Sequence, residues 1–160
     1  MPGRMCVITA YCNPCGYVSR RRNFELFASK LISQSAYLIV VEVAHGEAAF
    51  ELSEKFNVVR RRCSDLLWQK ERMLNIALMY IPMEFTKVAW LDCDVIFEDT
   101  SWAERTEHAL DEYTVVQPFS FCARLPPGDL EYKGRCQDGA KIVESLPHGA
   151  KRSLDGTRVF

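Results

Sequence analysis

Short apolar runs alternate with helix-like segments along the first 125 residues of the chain. The apolar runs predict strands at residues 5–11, 37–43, 57–60, 87–91 and 114–121. Helical spacing and turn residues predict helices from Ser19 to Leu31, Glu47 to Lys55, Ser64 to Tyr80 and Trp102 to Glu112. Because this alternation is typical of parallel strands joined by helical crossovers, we predict an α/β fold of three layers, α/β/α, with a mostly parallel sheet.

The segment 126–160 breaks this pattern. Turn pairs such as Pro126-Pro127, Asp138-Gly139 and Asp155-Gly156 recur in it, and we predict neither helix nor strand there. The chain therefore divides, on sequence, into a ligand-binding core at residues 1–125 and an irregular C-terminal segment at residues 126–160.

The triplet Asp92-Cys93-Asp94 follows directly after an apolar run and indicates a metal site. A strand that is buried must expose its carboxylates at its end, because an unpaired buried charge is costly. Residues two apart on a strand lie on one face, so both carboxylates are expected to reach one cation. Mg²⁺ and Mn²⁺ take one or two protein carboxylates and complete their coordination with water and substrate phosphates.

Polar clusters follow three of the predicted strands. They are the loop at Asn13, the segment from Glu42 to Gly46, and the Asp92–Asp94 triplet. The carboxyl ends of parallel strands meet at one edge of the sheet, and ligands of such sheets bind beyond that edge. A nucleotide site is therefore expected where the three clusters come together.

Residues 67–78 (LWQKERMLNIAL) and 88–94 (VAWLDCD) together resemble the GT-A glycosyltransferases, most closely the large inverting family called family two. Residues 9–14 (TAYCNP) are similar to the donor-base loop of that family, and residues 115–119 (VVQPF) to the element after its metal site. The resemblance covers about residues 5–125 and implies a Rossmann-like GT-A fold. It implies an enzyme, a glycosyltransferase that moves a sugar from a nucleotide diphosphate to an unknown acceptor, and 1–125 would be its nucleotide-sugar-binding core. We expect the donor-binding half of such an enzyme, with the catalytic base unknown.

The resemblance also implies a role for each matching residue in the metal site. Asp94 would bind the Mn²⁺ or Mg²⁺ ion that bridges the donor diphosphate. Asp92 would contact either this metal or the ribose. The metal would neutralise the leaving diphosphate as a Lewis acid.

The nucleotide contacts are implied in the same way. Tyr11 and Asn13 would lie beside the base, and Glu42 would accept a hydrogen bond from the base or the ribose. Lys70 and Asn75 would face the nucleotide from the helix that precedes the metal strand.

Composition limits the partners of the chain. Its net charge of −1 argues against a general nucleic-acid-binding protein. No apolar run approaches the roughly 20 residues needed to span a bilayer, so we expect no membrane span. Seven cysteines, an odd number, favour reduced thiols, and a cytoplasmic location is the expectation that follows.

Other functions remain open on sequence. Cys12 and Cys15 form a C-x-x-C motif between a strand and a helix, as in thioredoxin-like thiol oxidoreductases, where the helix dipole would lower the pKa of Cys12. A haloacid-dehalogenase-like phosphatase would use Asp92 as its nucleophile and Asp94 as its general acid. A non-catalytic nucleotide-sugar-binding module is the third alternative.

Overall fold

A computed structural model describes residues 4–126, 129, 141–144 and 158–159. It divides the chain into two compact units, of which the first spans Gly3–Asp94 and the second begins at Val95. The division predicted from sequence, into a core at 1–125 and a segment at 126–160, stays a prediction. Within the described part of the chain, no helix is both long and apolar enough to cross a membrane.

The first unit is built on a four-stranded, entirely parallel sheet. Its strands are β1 (Arg4–Cys12), β2 (Tyr37–His45), β3 (Asn57–Cys63) and β4 (Phe85–Trp90), in the spatial order β3-β2-β1-β4. The crossovers carry helix α1 (Val18–Ser33) after β1 and helix α2 (Lys70–Leu78) after β3. The prediction of an α/β fold with a mostly parallel sheet is confirmed.

The two helices cover opposite faces of this sheet. Alternate residues of β1, from Cys6 to Cys12, form one core with Met73, Leu74 and Ala77 of α2. On the other face, the ring of Tyr11 meets the ring of Phe24 of α1 edge to face, with centroids 5.2 Å apart. Successive strand residues point to opposite faces, so a β1 that is buried from Met5 to Cys12 requires a helix on each side.

The strand order contains one reversal of direction. From β1 the chain moves to β2 and then to β3 on one side, and it then returns past β1 to place β4 on the other side. The crevice between the carboxyl ends of β1 and β4 is therefore the topological switch point of the sheet, which is where ligands of open α/β sheets bind.

The second unit differs from prediction. Helix α3 (Trp102–Glu112) has the predicted bounds, but the predicted strand at 114–121 is wrong: β5 is Phe121–Arg124. It pairs with β6 (Lys141–Glu144) antiparallel and with β7 (Arg158–Val159) parallel, so the prediction of no strand beyond residue 126 is also wrong. These strands have four, four and two residues, too few for a period-two pattern to be visible in the sequence.

Two of the predicted helix starts, at Ser19 and Ser64, are displaced in the structure. Ser19 lies inside α1, whose N-cap is Tyr17. The side chain of Asn13 holds the N-terminus of α1: its Oδ1 accepts from the Tyr17 amide at 3.0 Å, and its Nδ2 donates to the Tyr17 carbonyl at 3.1 Å. Helix α2 begins after Gln69 rather than at Ser64. Leu67 is exposed, so the segment between Ser64 and Gln69 buries too little apolar surface to stabilise an additional helical turn.

The predicted helix from Glu47 to Lys55 is wrong as well, and the segment is an irregular loop. The buried carboxylate of Glu42 accepts hydrogen bonds from the backbone amides of Glu51 and Leu52, at 2.5 and 3.1 Å. Those amides are therefore satisfied by a side chain of β2 instead of by helical carbonyls.

Candidate functional site

Two polar loops flank the switch point, one after β1 and one after β4. Ile8 and Trp90 are register partners, the Leu91 amide donates to the Ile8 carbonyl at 3.2 Å, and Thr9 Oγ1 donates to the Leu91 carbonyl at 2.8 Å. These bonds fix the chain immediately before the Asp92-Cys93-Asp94 triplet. The triplet therefore lies on the carboxyl edge of the sheet, as does the Asn13 loop.

Asp92 is paired with a residue that was also predicted for the site. The Lys70 ammonium at the start of α2 forms an ion pair with Asp92 Oδ1 and lies 5.8 Å from the centroid of the Trp90 ring. Lys70 is half-buried and Asp92 is exposed. The first turn of α2 thus brings a cation to the metal-binding triplet predicted from sequence.

Asp94 remains open to solvent, and its electrostatic surroundings are unusual for a surface carboxylate. Desolvation raises the pKa of Asp94, and the negative charge of Asp92 raises it further, while Arg20 on α1 and Lys70 oppose the rise. Two carboxylates that repel each other at one loop are stabilised by any cation that binds between them. Burial raises the pKa of Cys93 to about 12, so this thiol stays neutral near pH 7.

In donor type, the carboxylates of Asp92 and Asp94 match a cation whose other ligands come from a phosphate and water, and Asp92 Oδ1 is paired with Lys70. Among the described residues, no group of three or more His, Cys, Asp or Glu side chains could enclose a metal ion. Two carboxylates without a third protein ligand are the donor set that Mg²⁺ accepts when substrate phosphates complete its coordination.

Tyr11 and Asn13 are bound by Glu51, a residue that the sequence analysis missed. Tyr11 Oη donates to Glu51 Oε2 at 2.5 Å, and Asn13 Nδ2 donates to both carboxylate oxygens at 3.1 and 2.9 Å. Tyr11 is only 1% exposed, so its side chain does not present itself to a ligand. The predicted contact of Tyr11 with a nucleotide base stays a prediction. Such a contact would require the hydrogen bonds of Glu51 with Tyr11 and Asn13 to open. Of Tyr11 and Asn13, Asn13 is the accessible one: it is half-buried at the carboxyl edge of the sheet.

Glu42 is likewise occupied by contacts within the protein. It is 2% exposed, and its second oxygen lies 3.7 Å from Arg60 Nε. A buried carboxylate needs such partners, because the desolvation of an unpaired buried charge costs roughly several kcal/mol. Its predicted hydrogen bond to a base or ribose stays a prediction.

Lys70 and Asn75 do not share a face of α2. Five residues along an α-helix correspond to a rotation of about 140°. Lys70 lies on the side of the buried Met73, Leu74 and Ala77, whereas Asn75 is exposed on the outer side. The structure therefore brings Asp92, Asp94 and Lys70 together, places Asn13 on the same edge, and leaves Asn75 apart from them.

The C-x-x-C motif lacks the features of an activated dithiol. Cys12 is buried and its sulfur lies 3.2 Å from His45 Nε2, while Cys15 is exposed. Burial raises the pKa of Cys12, although Arg20 opposes this effect. A raised pKa is the opposite of what a thiol oxidoreductase needs, because the thiolate is the nucleophile.

Comparison of the chain with protein families, with curated proteins and with solved structures found no match.

Proposed function

We propose that this chain binds a nucleotide-diphosphate sugar through a divalent metal and acts as a GT-A-like glycosyltransferase or as its donor-binding portion. The observation that carries the proposal is the position of Asp92 and Asp94. They follow β4 directly, beside the end of β1, at the topological switch point of a parallel sheet.

Each residue of this edge has a defined part in the proposal. Asp94, which has no described cationic partner at ion-pair distance, is the main ligand of Mn²⁺ or Mg²⁺, and Asp92 supplies a second oxygen or contacts the ribose. The metal supplies charge neutralisation for a departing diphosphate. Lys70 and Arg20 add positive charge at the same place, which favours a polyanionic donor.

The acceptor and the catalytic base are not assigned to residues. Inverting transfer needs a base that removes the proton of the acceptor hydroxyl. A non-catalytic module would bind the same donor without transferring its sugar. Both versions of the proposal share the metal-dependent binding step, and transfer to an acceptor separates them.

The test is calorimetric titration of the protein with a panel of nucleotide sugars, with and without Mn²⁺. We expect saturable binding that needs the metal and that Asp94→Ala abolishes. Asp92→Ala should weaken binding less if its side chain contacts the ribose. Asp94 is exposed in the turn after β4, so its removal creates no core cavity and the fold should survive.

Glu84→Ala is the matched control, because Glu84 is an exposed carboxylate just before β4, at the opposite end of the same strand. It should leave binding unchanged. Metal-dependent binding that persists in Asp94→Ala would remove the central claim, and so would the absence of nucleotide-sugar binding at any metal concentration.

A further inference from the structure

A second cleft opens on the α2 side of the sheet, at the ends of β1, β2 and β3. Its cavity volume is about 140 Å³, close to that of an engineered protein cavity of about 150 Å³ that accepts benzene. Its apolar lining comes from Val43, Leu67, Trp68, Met73 and Ile76. A flat apolar group of about the size of one aromatic ring fits this space.

One residue of the polar lining, His45, carries an unsatisfied buried atom. His45 lines the cleft, and its Nε2 is held 3.2 Å from the Cys12 sulfur. Its other ring nitrogen, Nδ1, is buried and has no hydrogen-bond partner among the described residues. In the tautomer in which the Cys12 thiol donates to Nε2, Nδ1 carries a proton that a ligand carboxylate could accept. Leaving a buried polar atom unpaired costs about 1–3 kcal/mol, so a carboxylate that reaches Nδ1 would recover this energy.

Two arginines of the same cleft carry charge that no carboxylate neutralises. Arg61 donates to Tyr80 Oη and to the Arg60 carbonyl, and Arg72 donates to Gln69 Oε1. All of these acceptors are neutral. Within the described part of the chain, neither guanidinium has a carboxylate at ion-pair distance. Each guanidinium keeps donors that suit an anionic oxygen.

We infer that this cleft binds a small organic carboxylate, with its apolar body among the α2-side residues and its carboxylate facing Arg61, Arg72 and His45 Nδ1. The site differs from the proposed metal site, which follows β4 on the other side of β1. It also does not depend on the glycosyltransferase proposal.

The experiment compares benzoate with benzyl alcohol, a neutral molecule of similar size, by calorimetry and by NMR of the backbone amides and His45 ring. We expect benzoate to bind at least tenfold more tightly than benzyl alcohol. Arg72→Gln should reduce this difference at least threefold while Arg61 retains part of it, because a charge-assisted hydrogen bond is stronger than a neutral one. Arg22→Gln on α1 is the matched control, since Arg22 is exposed and does not line the cleft, and it should bind as the wild type does.

Two variants of His45 isolate its contribution. In His45→Asn the amide nitrogen takes about the place of Nδ1, whereas His45→Gln extends to the place of Nε2. We expect the Asn variant to retain most benzoate affinity and the Gln variant to lose at least fivefold.

Three results would overturn the inference. Equal affinity for benzoate and benzyl alcohol would show that the cleft recognises only apolar volume. The absence of saturable benzoate binding would show that it takes no such anion. A loss of benzoate binding in Asp94→Ala would show that the cleft is part of the metal site. In the last case the nucleotide-sugar proposal would stand while the separate site would not.

Discussion

Glu51 is the residue whose removal should loosen the carboxyl edge most. Glu51→Ala takes away the acceptor of the buried Tyr11 hydroxyl and of the Asn13 amide together. A hydrogen bond to a charged group contributes about 1.5–3 kcal/mol, and the orphaned hydroxyl adds a desolvation penalty. We therefore expect Glu51→Ala to lower the free energy of unfolding by about 2–4 kcal/mol, a large part of the roughly 5–15 kcal/mol of a typical domain.

A double-mutant cycle in urea separates the Tyr11 bond from the rest. Tyr11→Phe alone should cost about 1 kcal/mol, because Glu51 is half-exposed and keeps both Asn13 and water as partners. The pair Tyr11→Phe with Glu51→Ala leaves no orphaned hydroxyl, so its cost should fall short of the sum by about 1–2 kcal/mol. Glu47→Ala, an exposed carboxylate of the same loop, is the control and should change stability by less than about 0.5 kcal/mol. A coupling below about 0.5 kcal/mol would refute the reasoning.

The pH dependence gives the same prediction a second readout. Burial, and then Glu51, raise the pKa of Tyr11 above its ordinary value of 10.0. The unfolded chain therefore releases this proton at lower pH than the folded chain does. The stability linked to Tyr11 is fully present below about pH 10 and is lost as the pH rises toward the folded value. Tyr11→Phe should remove this loss, and an unchanged alkaline slope would contradict the assignment.

The remaining predictions concern other titrating groups. Asp94→Asn should raise the urea midpoint at pH 7 and leave it unchanged at pH 3, because the pKa of Asp94 is raised, so its ionisation costs stability as the pH rises through the folded value. Asp99→Ala should cost about 1 kcal/mol, because Asp99 accepts a hydrogen bond from the amide of Ser101, the N-cap residue of α3. Its hydrogen bonds with Ser101 lower the pKa of Asp99, so this cost should shrink as the pH falls below about 4; a constant cost would argue against a contribution of these bonds to stability. Maleimide should label exposed Cys15 well before buried Cys12, as peptide mass spectrometry can show; equal rates would contradict the burial of Cys12.

The parallel sheet could be predicted from sequence because its signal is strong and local. The nine residues of β1 and of β2 are almost continuously apolar, and α1 carries its buried phenylalanines at helical spacing. The α/β class followed from this alternation. The loop after β2 could not be predicted, because its conformation depends on Glu42, whose carboxylate competes with helical hydrogen bonding from inside the sheet.

The candidate site shows the same division. The position of Asp92 and Asp94 at a strand end follows from the step between apolar and acidic residues. The role of Glu51 had no signal in the sequence, because it bonds to Tyr11 and Asn13 across 40 and 38 residues. An acidic residue in an irregular loop becomes informative only once the strands that bring it beside its partners are known.

The return of the chain past β1 has a consequence for the order of assembly. Thr9 and Leu91, whose hydrogen bond closes the edge beside the triplet, are separated by 82 residues, whereas β1, β2 and β3 are successive along the chain. Contacts between distant segments are entropically the last to become favourable during folding. The crevice between β1 and β4 should therefore form late, and a partial opening that detaches only β4 would dismantle it while β1–β3 remain paired. Ligand binding at this crevice would then protect the amides of β4 from hydrogen exchange far more than those of β2.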